Sequence, residues 1–410
     1  MTSPRLRRHI CHLLGTACLL LVSGPISANW SFAEPVDLTA GVGVFPHLDA
    51  SGRQALAVSA EQVAVAWDDA RDQSSHCRVA LRPSSGVEFR QFRVGGEECY
   101  APAVTALGDG RFGVIWEDEA GIGFTHLDQH GPAQILRLAA RGSHASLAWH
   151  AKLGLFATWS GNEGRHARVQ RSHLAWVGDG YRAGPAQSAD SLPQTDDQLY
   201  PVLAASRQGI ALVWEDRRHG HTVIYASVTD DGQAWTAPRR VSGNPTGKAP
   251  GTDLGRGTGA MRPALAGFGA GRLAAVWLDK RDFLSGYDVY AALSNDGGKT
   301  FAKDGKAQDS FGDAIAQWHA AVAGNERGDL VVAWDDERDG NADVWLAWLQ
   351  ADGSYADNIS PAPAHGPNGQ SDPAIALDAA GNLHLAWIER DAGGAARLRY
   401  SLGRLSSPRR

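Results

Sequence analysis

Three observations predict an all-β chain built from repeated four-stranded units. An apolar run ending in tryptophan recurs seven times, as VAVAW (Trp67), FGVIW (Trp116), LFATW (Trp159), IALVW (Trp214), LAAVW (Trp277), LVVAW (Trp334) and LHLAW (Trp387). The copies lie roughly 43–63 residues apart, a period typical of repeat architectures. The 410-residue chain holds 48 glycines but 2 methionines, which favours turns over long helices.

Each copy has the same grammar. A short first strand begins at Pro46, Pro102, His144, Pro201, Pro263, His319 or Pro373. A Gly/Asp/Asn turn such as LGDGR or DAAGN follows. The tryptophan strand comes next, apolar at nearly every position, as a strand covered on both faces must be. A polar loop leads to a third strand such as VIYASV or DVYAAL, and a tight turn to a fourth such as AWTAPRRV. Seven such units predict a seven-bladed β-propeller in one domain over residues 29–402, with 403–410 a short polar tail. The seventh copy lacks a clear fourth strand, and NWSFAEPVDL at the start of the domain resembles one. Residues 29–39 are therefore expected to complete the last blade and leave no open seam.

Residues 1–28 read as a signal peptide: Arg5, Arg7 and Arg8, then an apolar stretch, then PISA before Asn29. The expected locale is periplasmic or extracellular. Later segments are too short and polar to insert in a membrane. A net charge of −6 and the lack of a basic stripe argue against nucleic acid. Cys77 opens the third strand of copy one and Cys99 lies in the connector into copy two. Both fall on one face of neighbouring blades, so a disulfide is expected there.

SNDGGKTF, from Ser294 through Asp296, Gly298 and Thr300 to Phe301, fits the Asp-box pattern between third and fourth strands. VTDDGQAW keeps Asp230, Gly232 and Trp235. The chain thus resembles the Asp-box (BNR-repeat) propellers of the sialidase-like superfamily. In the box itself, Asp and Ser satisfy turn amides while the aromatic packs beneath, a structural role.

The phrase W-x-D-x-R recurs as Asp69 and Arg71, Asp216 and Arg218, Asp279 and Arg281, and Asp336 and Arg338. A feature repeated around a ring is expected to solve a problem every blade shares, so these pairs read as structural. The longer connectors join fourth strands to first strands, which makes the face shared by the 4–1 and 2–3 loops the candidate face. Sites are expected where the copies differ, around the channel mouth at Phe45, Tyr100, Ser143, Tyr200, Arg262, Trp318 and Asp372. Of these, Tyr100, Tyr200, Arg262, Trp318 and Asp372 are the candidate ligand-binding residues. Tyr and Trp offer flat faces to sugar rings, Arg262 a carboxylate clamp, and Asp372 a hydroxyl acceptor or proton carrier.

Sialidases, which the resemblance brings into view, use three arginines, a glutamate-activated tyrosine nucleophile and an aspartate acid/base on six blades. Here GVFPHLDA lacks the arginine of their first-strand motif. The expected function is therefore binding of a glycan or protein ligand by a monomer, with no assigned catalytic residue. The alternatives are a sialidase-like exo-glycosidase with a rearranged site and an envelope scaffold. No cofactor or metal is expected. His219 and His221 in RRHGHT have no further ligands at useful spacing.

Overall fold

The computed structural model describes residues 30–405 apart from 40–42, 72, 85, 87, 163, 192–195, 246–258, 282–285 and 357. The expected signal peptide and most of the connector at 241–261 lie outside the described residues. Seven antiparallel sheets form a ring, a seven-bladed β-propeller. Blade 4 shows the pattern clearly, with Gln198–Ser206, Gly209–Asp216, Val223–Thr229 and Arg239–Arg240 in order from the channel outward. Among the described residues of blade 6 the outer strand is represented by single bridges, Leu346 to Ile359 and Leu349 to Tyr355.

The last blade closes as the sequence predicts. Trp30–Phe32 and Val36–Asp37 pair with Ala396–Leu405, placing Trp30 opposite Leu405 and Val36 opposite Tyr400. Thr39 Oγ1 accepts the Leu398 N–H at 2.8 Å and Ser401 Oγ donates to Ala33 O at 2.6 Å. That final strand runs to Leu405, three residues past the boundary expected at 402.

The seven repeat tryptophans are all 2 % exposed or less. An indole of this size buries enough surface for about 4–6 kcal/mol of transfer free energy. The acid two residues later anchors it in five blades. Trp Nε1 donates to Asp Oδ2 for Trp67–Asp69 (2.6 Å), Trp116–Asp118 (2.7 Å), Trp214–Asp216 (3.1 Å), Trp277–Asp279 (3.0 Å) and Trp334–Asp336 (3.0 Å). Arg71, Arg218, Arg281 and Arg338 then fold back onto the same carboxylates. Three of these guanidiniums also stack on third-strand rings: Arg218 on Tyr225, Arg281 on Tyr290 and Arg338 on Trp345. The pairs thus sit inside single blades, from second-strand end to third-strand ring. Blade 2 lacks the phrase arginine, and Arg137 of its fourth strand reaches Asp118 instead at 2.6 Å. In blade 7 Glu389 takes the acid's place but binds Arg399, and Trp387 Nε1 has no hydrogen-bond partner among the described residues.

Cys77 and Cys99 form the disulfide. The SNDGGKTF turn is held by its own side chains. Ser294 Oγ accepts from Gly298 N at 2.8 Å, and Asp296 accepts from Thr300 N and Oγ1 at 2.9 and 2.6 Å. In the degenerate turn the acceptor is Asp231, bound by Gln233 N and Ala234 N, whereas Asp230 points to Lys299.

One expected strand differs. PHLDA contributes only a bridge between His47 and Asp68, and the first strand of blade 1 is Leu56–Val58. Between them a turn at Ser51–Arg53 crosses the central channel. Ser51 Oγ donates to Pro201 O in blade 4, Gln54 Nε2 to Leu203 O, and Ser146 Oγ of blade 3 to Gln54 Oε1. Arg53 binds Asp372 and Pro373 O in blade 7. Gly52 has φ +63°, and a Cβ there would lie 2.4 Å from Val202 Cγ1. Only glycine passes that point without strain.

Candidate functional site

The Ser51–Arg53 turn, a plug in the channel, floors a cavity of about 600 Å³ on the face of the 4–1 and 2–3 loops. Its walls are built by one local device repeated in blades 2 to 7. Each first strand carries a bulge at its entry, between Tyr100 and Ala103, Ser143 and Ser146, Leu199 and Val202, Met261 and Ala264, Trp318 and Ala321, and Ser371 and Ala374. At each bulge a non-glycine residue takes the left-handed conformation: Ala101, His144, Tyr200, Arg262, His319 and Asp372, with φ between 49° and 59°. Such backbone is costly and needs support.

The support comes from the residue that directly follows the tryptophan of the preceding blade. Asp68 accepts the N–H of Ala101 (3.1 Å), Glu117 that of His144 (3.2 Å), Glu215 that of Arg262 (2.5 Å) and Asp335 that of Asp372 (3.0 Å). The x of W-x-D is therefore a position facing the mouth. A bulge re-aims its side chain, and five of the six bulge residues line the cavity; His144 instead stacks on Tyr200.

Tyr100, Tyr200, Arg262, Trp318 and Asp372 all line this one cavity; Phe45 and Ser143 do not. The Arg262 guanidinium lies 3.8 Å from the Tyr200 ring centroid, and the His144 ring packs 3.7 Å from it, so the phenol is held between two planar groups. Trp318 is 41 % exposed and leans on Tyr287. Tyr100 donates to Glu98 and its phenol is pushed up to about 12, chiefly by that hydrogen bond.

Residues that the strand-entry pattern does not single out complete the site. His47 Nδ1 lies 3.0 Å from Asp68 Oδ2, and this bond raises the imidazole above its ordinary value. His319 bridges Asp335 (2.7 Å) and Asp372 (3.4 Å). Burial pushes Glu117 up to about 7 and leaves it poised to carry a proton near neutrality. Burial also opposes the charge of Asp372, yet Arg53, His319 and Arg390 hold it below the usual carboxylate range. Arg390 and Arg53 add two guanidiniums to that of Arg262. Arg53 is fixed and enclosed by Asp372. Arg262 and Arg390 have side chains 42 % and 46 % exposed. The acids following tryptophan could have been found from the second strand's alternation. Arg53 could not, because the sequence places it on an ordinary turn. His219, in the other motif considered, bonds Tyr225 at 2.8 Å.

The sequence matches no protein-family profile and no curated protein sequence. Its fold is shared with known structures. The polysaccharide lyase Uly1 superposes with a TM-score of 0.60 over 92% of this chain and 100% of that one, at 8% identity. A PL25 ulvan lyase, solved bound to -[GlcA(1-4)Rha3S]-, gives 0.58 over 89% and 95%, at 10% identity. A protein of unknown function from Dyadobacter fermentans gives 0.56 over 92% and 99%, at 11% identity. At these identities the likeness is one of fold.

Proposed function

We propose that this propeller binds an acidic glycan in the cavity at its channel mouth. The observation that carries the reading is the meeting of two exposed guanidiniums, Arg262 and Arg390, with the exposed aromatic side chains of Tyr100 and Trp318 in one asymmetric pocket. A sugar carboxylate fits the guanidiniums and its ring fits the aromatics. Several equivalent shallow pockets, as a ring lectin would have, are not what the cavity offers. Two of the fold neighbours are polysaccharide lyases, which supports a carbohydrate ligand. Export through residues 1–28 belongs to the same proposal, and the Cys77–Cys99 bridge fits an oxidising compartment.

The test is calorimetric titration with uronic-acid oligosaccharides, sialyl-lactose and a neutral oligosaccharide. Binding of an acidic ligand, weakened at least tenfold in Arg262→Ala and Arg390→Ala, is the expected result. Equal binding of the neutral sugar, or no binding at all, sinks the reading.

A second reading, cleavage by a sialidase-like exo-glycosidase, is favoured by specific observations. The cavity holds three arginines (Arg53, Arg262 and Arg390), the acid/base candidate Asp372, and Tyr100 hydrogen-bonded to Glu98. The Ser294–Phe301 turn supports kinship with Asp-box propellers. Glu117 and Asp372 are also pushed apart in proton affinity, as an acid and a base must be. Turnover of a fluorogenic sialoside or other exo-glycoside, lost in Asp372→Asn and Tyr100→Phe, would establish this reading over simple binding.

A further inference from the structure

Blades 5 and 6 carry the same buried carboxylate at the start of the third strand, and they treat it differently. In blade 5, Asp288 stands opposite Asp279 and is fully buried. Lys306 Nζ neutralises it at 3.2 Å, and Gln308 Nε2 donates to it at 2.6 Å. In blade 6, Asp343 stands opposite Asp336 and is 1 % exposed. Lys306 faces Tyr290 on the outer strand of blade 5. The matching residue of blade 6, next after Ile359 and its bridge to Leu346, is Ser360. The lysine's charge is missing.

Two other groups converge in its place. Asp343 Oδ1 accepts the Gly366 N–H at 3.0 Å. Asp343 Oδ2 is closed to solvent and accepts no hydrogen bond among the described residues. It faces His365 Nδ1 at 3.0 Å without hydrogen-bond geometry. Asp339, from the 2–3 loop, brings a second carboxylate, and one ligand atom from each of the three lies within 4.8 Å of the others. A buried oxygen that takes no hydrogen bond, an imidazole nitrogen 3.0 Å from it and a further carboxylate beside them present three ligand atoms to one point. Asp339 and His365 are exposed, so the position is reachable from solvent.

We propose that Asp339, Asp343 and His365 form a divalent-metal site joining the 2–3 loop of blade 6 to the connector entering blade 7. One imidazole and two carboxylates suit a first-row ion such as zinc or manganese better than magnesium, with water filling the remaining positions. The two segments are already pinned by Asn341 Nδ2, which donates to Gly366 O and Asn368 O at 2.8 and 2.5 Å. The metal would fix the same connector, which leads within a few residues to Asp372 in the cavity. The cluster of His166, Asp196 and Asp197 offers no comparable buried orphan: Asp197 Oδ1 already accepts the Ala167 N–H.

The experiment is titration of the metal-free mature protein with zinc, manganese, calcium and magnesium chlorides, read by calorimetry and by thermal unfolding. Zinc or manganese should bind saturably and raise Tm. That binding should survive His166→Ala and be lost in His365→Ala, Asp339→Asn and Asp343→Asn. The first two change exposed side chains, so they test the site even if the buried Asp343→Asn fails to fold. Absence of saturable zinc or manganese binding would overturn the site, as would binding indifferent to His365→Ala and Asp339→Asn.

Discussion

The backbone N–H of Arg262 donates to the buried Glu215 carboxyl across the boundary between blades 4 and 5, at 2.5 Å. Burial raises Glu215 from an ordinary value of 4.5 to about 7. The folded protein therefore keeps a proton there that the unfolded chain has released. Stability from this group is fully present below pH 4.5 and is lost as pH rises towards 7; above that the fold carries a buried charge. Glu215→Gln keeps an acceptor for Arg262 and removes the ionisation. Urea unfolding should show the variant gaining on the parent between pH 4.5 and 7, by at most about 3 kcal/mol at pH 8. A pH-independent difference would contradict this account of the group.

Asp336 is the shared acceptor for Trp334 Nε1 and the Arg338 guanidinium, whose side chain is 1 % exposed. Asp336→Ala leaves a buried indole N–H unpaired and Arg338 with Asp309, 3.1 Å away, as its remaining carboxylate partner among the described residues. Breaking one side of a buried pair costs about 3–5 kcal/mol. Asp118→Ala should cost less, because its partner Arg137 has a side chain 38 % exposed and can return to water. Denaturant midpoints of the two variants should fall in that order.

The ring and its closure were legible because each blade solves the same packing problem with the same letters. The indole-acid-arginine phrase could be seen in four copies, and its spacing allowed a contact within one hairpin or between blades; the structure places it within the blade. In blade 2 the arginine comes from Arg137, 21 residues after Trp116, and spacing cannot show that. The mouth was legible to the extent that strand entries such as Tyr200 and Arg262 differ among blades. The bulge was not, since left-handed backbone at Tyr200 or Asp372 leaves no mark in residue type. The plug was misread because Pro46–Ala50 has the letters of a first strand, while the bonds that draw Ser51 to Pro201 and Arg53 to Asp372 span 150 and 319 residues.

Gly52→Ala tests whether the plug shapes the cavity. The new methyl would meet Val202 Cγ1 at 2.4 Å and would sit on backbone at φ +63°. A side chain in that conformation costs about 1 kcal/mol before the clash is counted. A total loss of about 2–3 kcal/mol is expected. Because Arg53 follows directly and holds Asp372, the variant should also weaken acidic-glycan binding beyond what Ala50→Gly does. Loss of stability with unchanged binding would separate the plug from the site.

The Cys77–Cys99 bridge closes a loop with a sequence separation of 22, and both cysteines are 0 % exposed. A reductant cannot reach these sulfurs without local opening, so the native protein should resist dithiothreitol for as long as blades 1 and 2 stay packed. Once the chain is unfolded, reduction is fast. Chain-entropy arguments put the bridge at about 3 kcal/mol for a loop of this length. Paired Cys77→Ala and Cys99→Ala substitutions should therefore lower stability by that order. Thiol labelling over time in increasing urea should follow the unfolding transition, with both cysteines appearing together. Rapid labelling in the absence of urea would mean that the 4–1 connector entering blade 2 opens independently of the ring.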